Sequence, residues 1–135
     1  MNVLLSHEAA PCQFYGAPPD WIGAPWVSQF DPDAPPEPRR GDIIALINPT
    51  FRPALADLVA QARRAGVPVI GVFETMDFDF GLWPGSPLQA NPHRSLFSLQ
   101  THVCALARMV GLCDGFVATG PVMAESLARH RSERP

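Results

Sequence analysis

The chain has 135 residues, 47% of them hydrophobic and 17% charged, with a net charge of −3, the profile of one globular domain with a real core. That charge gives no footing for nucleic acid or an anionic membrane as a partner, and no run of residues reaches the length of a membrane-spanning helix. Sixteen prolines exclude a plain helical bundle, because a proline inside a helix removes a hydrogen bond and clashes with the preceding turn.

In chain order, Asn2 to Leu5 reads as a short apolar strand ending in Ser6-His7-Glu8. Ala9 to Arg40 follows, rich in proline and aromatics. Residues before proline are pushed out of the helical region, so this stretch reads as an irregular or extended excursion. Phe14, Tyr15, Trp21, Trp26 and Phe30 make it too apolar for a disordered linker, and they are expected to dock on the sheet or on a partner. DPDAPPEPRR alone reads as an exposed linker.

Asp42 to Ile47 (DIIALI) is a second buried-type strand, ending in Asn48-Pro49-Thr50. A helix is expected from about Phe51 to Ala65, with Leu55, Leu58, Val59 and Ala62 on one face. Thr50 is its expected N-cap; Arg63 and Arg64 suit the negative end of its dipole, and Gly66 is the expected residue just past its end. Gly66 to Phe80 (GVPVIGVFETMDFDF) is the organising stretch. Its apolar run reads as a strand buried on both faces of a parallel sheet, and it turns acidic where ligands bind in such sheets, at the carboxyl end.

A loop from Gly81 to Pro92 leads to a long helix from His93 to Val110, with Leu96, Leu99, Val103, Leu106, Ala107 and Val110 on one face and Gly111 ending it. Gly115 to Thr119 is a fourth strand, and Gly120-Pro121 opens a last helix to about His130. Alternating strands and helices predict a Rossmann-like three-layer α/β domain over residues 1–135, with a short parallel sheet of about four strands and the 9–40 excursion after the first.

This topology gathers Ser6, His7, Glu8, Asn48, Thr50, Glu74, Thr75, Asp77 and Thr119 at the carboxyl ends of the strands. His7-Glu8 beside Glu74 and Asp77 has the chemistry of a base oriented by a carboxylate, or of a hard-metal site, and neither has a spacing that certifies it. Asp77-Phe78-Asp79 spells a D-x-D, but carboxylates at i and i+2 of an extended segment point to opposite faces; a solvated acidic loop is the simpler reading, and no metal site is assigned. Gly120 opens a helix whose backbone N–H groups suit an anion. Glycine-rich dinucleotide, P-loop, nucleophile-elbow and H-E-x-x-H motifs are all absent. The three cysteines, Cys12, Cys104 and Cys113, are odd in number and share no metal-type spacing. With a start, MNVLLSHEAA, that lacks a basic, long-apolar leader, they predict a reduced, cytoplasmic chain.

From Gly41 to Arg131 the parts DIIALINPT, LADLVAQARRAG, VPVIGVFETMDFDF, NPHRSLFSLQTHVCALARMVGLC, DGFVAT and GPVMAESLARH resemble the N-terminal half of a GT-B glycosyltransferase of family 4. The departures are Glu74-Thr75 where relatives carry two adjacent acids, the lack of a glycine-rich loop after the first strand, and an end at ARHRSERP where a relative enters its next strand. The resemblance implies the acceptor-side half of an enzyme transferring a hexosyl group from a nucleotide sugar, inactive until completed by the donor-binding domain. In such a domain the crevice residues His7, Glu8, Glu74 and Asp77 are expected to face the catalytic chemistry, and Asn48, Thr50, Thr75, Thr119 and Gly120 to bind substrate. Two other readings stand beside it. One is a non-catalytic interaction subunit of a larger assembly, binding its partner through Tyr15, Trp21 and Trp26. The other is a small metal-dependent hydrolase using Asp77, Asp79 and the histidines.

Overall fold

The computed structural model describes residues 2–7, 23–73, 96–118 and 120–132. They form β1 (Asn2–His7), β2 (Val27–Phe30), β3 (Asp42–Ile47), α1 (Pro53–Ala65), β4 (Val69–Phe73), α2 (Leu96–Leu112), β5 (Gly115–Ala118) and α3 (Pro121–Ser132). The strands make one parallel sheet in the order β2-β1-β3-β4-β5. The expected α/β class is what is found, with one strand more than expected.

The extra strand, β2, lies inside the stretch read as an irregular or extended excursion. Val27 to Phe30 pairs in parallel with Val3 to Ser6, and the Val3 N–H donates to the Trp26 carbonyl at 2.8 Å. Prolines on either side hide this segment from a pattern search, yet VSQF itself contains none and is free to pair. Phe30 packs against the main core. The segment read as an exposed linker is mostly exposed, but it is tied at several points. Asp31 accepts from the Asp33 N–H, and Asp42 accepts from the Arg39 N–H. Pro32 and Pro38 are buried.

One face of the sheet carries the described helices. Ile44, Leu46 and Val69 pack with Leu55, Leu58, Val59 and Ala62 of α1 and with Met109 of α2. Phe73 packs with Leu106 and Val110 of α2 and with Met123 and Leu127 of α3. Val3, Leu5, Ala45 and Ile47 form a separate buried cluster on the opposite face, as the two-residue period of a strand requires. Along β4, Val69, Gly71 and Phe73 are buried while Ile70 and Val72 are half-buried. Burial on both faces, expected for this strand, is therefore complete only under the helices. Gly71 is needed there: a Cβ would stand 2.8 Å from the Phe73 ring and 3.0 Å from the Cys113 sulfur.

The helix ends correct three expectations. α1 begins at Pro53, not Phe51, and its N-cap is Arg52, not Thr50, with no side-chain cap bond. Pro53 decides this, since proline fits the first helical position and restricts the residue before it to extended backbone; Arg52 sits at φ −150°. α2 runs through Gly111 to Leu112, because Met109 and Cys113, on either side of that glycine, are both held in the core. Gly66 closes α1 as expected, at φ 71°. Its N–H donates to Arg63 and that of Val67 to Ala62, the double closure that uses up a helix's last carbonyls. Arg63 then donates to the Leu112 carbonyl at 3.3 Å, joining the ends of α1 and α2.

Of the described cysteines, Cys113 is buried in the core, whereas Cys104 is exposed. Among the described residues, no helix is long and apolar enough to cross a membrane.

Candidate functional site

Strand order locates the place where a ligand fits this fold. The chain leaves β1 toward β2 on one side, then returns across β1 to β3 and continues through β4 to β5 on the other. The reversal lies between β1 and β3, and in open α/β sheets the crevice outside the carboxyl ends at such a reversal is the binding position.

At that point β1 ends in Ser6 and His7, and β3 ends in Ile47 followed by Asn48-Pro49-Thr50. His7 is the register partner of Ile47, one strand spacing away, ~4.8 Å across the sheet, and Asn48 is the next residue along. Ser6 is buried at 4% exposure, one of two buried polar residues in the described part of the chain.

Asn48 is the one non-glycine residue at positive φ among the described residues, at 46°. Its N–H donates to the Val72 carbonyl at 2.8 Å, which extends the β3–β4 ladder by one residue and pins the backbone in place. A residue preceding proline normally stays extended, and the left-handed region costs an L-residue ~1–2 kcal/mol, least for Asn, Asp and Gly. Strain of this kind, held by surrounding structure, concentrates at functional sites. Asn is the residue type that meets the backbone demand while adding an amide with both donor and acceptor.

The loop after Asn48 is braced on two sides. Phe51 donates its N–H to the Ala105 carbonyl of α2 at 3.1 Å, and the Arg108 guanidinium stands 3.6 Å from the centre of its ring, a stacked cation–π contact. Arg52 donates to Asp33 at 2.7 Å, with side chains 24% and 71% exposed. A positive N-cap at the positive end of a helix dipole is unfavourable; the Asp33 carboxylate offsets it. The loop after β3 is thereby anchored to α2 and to the segment that leads from β2 to β3.

The expected site residues divide as follows. His7, Asn48 and Thr50 are brought to the β1–β3 reversal. Gly120 follows β5, two strand positions beyond β3, ~10 Å across the sheet, and its carbonyl accepts the first-turn N–H of Ala124 at 3.0 Å. Trp26 lies at the amino end of β2, 42% exposed, on the far side of the sheet from Gly120. Glu8, Tyr15, Trp21, Glu74, Thr75, Asp77, Asp79 and Thr119 lie outside the described residues. Among the described residues, no three His, Cys, Asp or Glu side chains cluster as a metal site. Sequence reasoning missed the bracing by Arg52, Asp33 and Arg108, whose partners are far apart in the chain. The Asn-Pro pair at a strand end was the available signal for the turn.

A concavity lies at the opposite, amino edge, lined by Glu37, Pro38, Gln61, Arg64 and Ala65. It is an open surface groove away from the reversal point. Comparison of the chain with protein-family models, with curated proteins and with solved structures gives no match.

Proposed function

We propose that this chain is the acceptor-side half of a sugar-transfer enzyme of the GT-B type, requiring a second, donor-binding domain for turnover. The observation that carries this reading is the strained Asn48 beside the end of β1 at the β1–β3 reversal, where a small polar ligand fits an α/β sheet. It agrees with the resemblance of residues 41–131 to such an N-terminal half. In the reaction, an acceptor hydroxyl attacks the anomeric carbon of the nucleotide sugar, the nucleotide diphosphate leaves, and a base takes the hydroxyl proton. His7 and Glu8, with Glu74 and Asp77, supply base and electrostatic assistance; Asn48 and Thr50, with Thr75, Thr119 and Gly120, hold the sugar.

The test is a thermal-shift titration of the purified chain with UDP-, GDP- and ADP-sugars, with and without Mn²⁺, and with simple glycosides as acceptor analogues. A ligand at a hundred times its dissociation constant stabilises the fold by ~2.7 kcal/mol, a rise of several degrees in Tm. A shift specific to one sugar, free or carried on a nucleotide, is expected. No shift with any of them, from protein shown to be folded, overturns the proposal.

One observation favours a second reading, a non-catalytic interaction subunit. The Trp26 backbone is pinned by Val3 while the residue stays 42% exposed, and tryptophan so placed is a common anchor at protein interfaces. Under that reading Trp26→Ala leaves the melting temperature unchanged and abolishes partner capture, with no response to sugars in either protein.

A further inference from the structure

Two of the three large hydrophobic residues left exposed among the described residues lie on neighbouring elements at one edge of the sheet. Val117 of β5 is 52% exposed and Val122 of α3 is 59% exposed. Among the described residues β5 is the outermost strand on that side, so its outer row of backbone N–H and C=O groups faces away from the other described strands. Its sequence, GFVA, contains none of the devices that protect an edge, neither charge nor proline. Val117 is the register partner of Val72, itself half-buried, so the apolar strip continues inward along the same face.

We propose that this edge is the seat of a second copy of the chain, joined by β5 running antiparallel to the β5 of its partner about a two-fold axis normal to the sheet. Such an axis keeps each face of the sheet on its own side. The two Val117 side chains then meet on one face, extending the strip from Val72, and the two α3 helices lie antiparallel on the other. The charges of α3 fit that arrangement. Glu125 and Arg129, both exposed, are spaced equally about Leu127, near the middle of α3, so antiparallel packing centred there sets each Glu125 opposite the other copy's Arg129. A two-fold interface has to be self-complementary in this way, and a second β-strand is what satisfies an open strand edge. With a net charge of only −3 per chain, long-range repulsion between copies is small.

The experiment is the mass of the whole 135-residue chain in solution over a wide concentration range, by light scattering or sedimentation. A dimer of about twice 14.7 kDa is expected. Val117→Lys and Val122→Glu are each expected to weaken it by about tenfold or more in dissociation constant; Val122 lies on the surface of a helix, so its variant keeps the test readable where the strand variant fails to fold. Glu125→Arg is expected to weaken the dimer and the double variant Glu125→Arg/Arg129→Glu to restore it. A 14.7 kDa monomer at every concentration overturns the proposal. So does a dimer unchanged by Val122→Glu and Glu125→Arg, which would place the contact elsewhere.

Discussion

Asn48 carries two demands that usually fall on different residues. Its backbone turns through the left-handed region at φ 46° while its N–H completes the β3–β4 ladder, and its side chain brings an amide that can both donate and accept to the β1–β3 reversal. Separate substitutions separate the demands. Asn48→Ala retains the backbone strain without an Asn's tolerance for it, and is expected to lose about 1 kcal/mol in urea unfolding. Asn48→Gly meets the backbone demand and is expected to be the more stable of the two, yet to lose the ligand-induced rise in Tm. Equal stability of the two variants would show that the positive φ stores no strain. A full ligand response in Asn48→Gly would remove the side chain from the site. The Asn-Pro pair is visible in the sequence; that it lies at the reversal of strand order is not, because strand order is a long-range property.

At the scale of elements, the signals that survive into the structure are local ones. The apolar face of α1 and the glycine that stops it are legible because both depend on residues within two turns of one another. The start of α1 is less so: Thr50 has the chemistry of a cap, but Pro53 fixes the first helical position and leaves Arg52 at the boundary. β2 was hidden by its surroundings, because prolines nearby lower the expectation of a strand without preventing VSQF from pairing with β1. Asp114 has the opposite lesson. In sequence it reads as the first residue of the DGFVAT segment, with no assigned task. In the structure its carboxylate accepts the Val69 N–H at 2.8 Å and its own N–H donates to the Val69 carbonyl at 2.8 Å, so it locks the turn between α2 and β5 to the start of β4. Hydrogen bonds to a charged group contribute ~1.5–3 kcal/mol. Asp114→Ala is expected to lose about 2 kcal/mol by chemical denaturation, with its ligand response intact, since the turn lies at the amino edge, away from the crevice. A variant as stable as the parent would show that the backbone pairing suffices without the carboxylate.

At the scale of the whole molecule, the order β2-β1-β3-β4-β5 separates the two ends of the sheet by task. The amino edge holds the structural closures: the Asp114 lock, the Gly66 cap and the tie from Arg63 to Leu112. The carboxyl edge holds Ser6, the end of β1 and the braced loop from Asn48 to Arg52. The alternation of strands and helices, and hence the parallel sheet, could be read from hydrophobic runs. Which strands flank the crevice could not, since β2 was unseen and its pairing beside β1 is what creates the reversal.

The most direct measurement is a backbone amide NMR titration of the chain with the sugar or nucleotide sugar that gives the largest thermal shift. Perturbations are expected to concentrate at Ser6, His7, Asn48, Thr50 and Phe51, around the β1–β3 reversal. Binding whose perturbations leave those residues untouched, or gather instead at Glu37, Gln61 and Arg64 on the amino edge, would contradict the assignment of the crevice as the site.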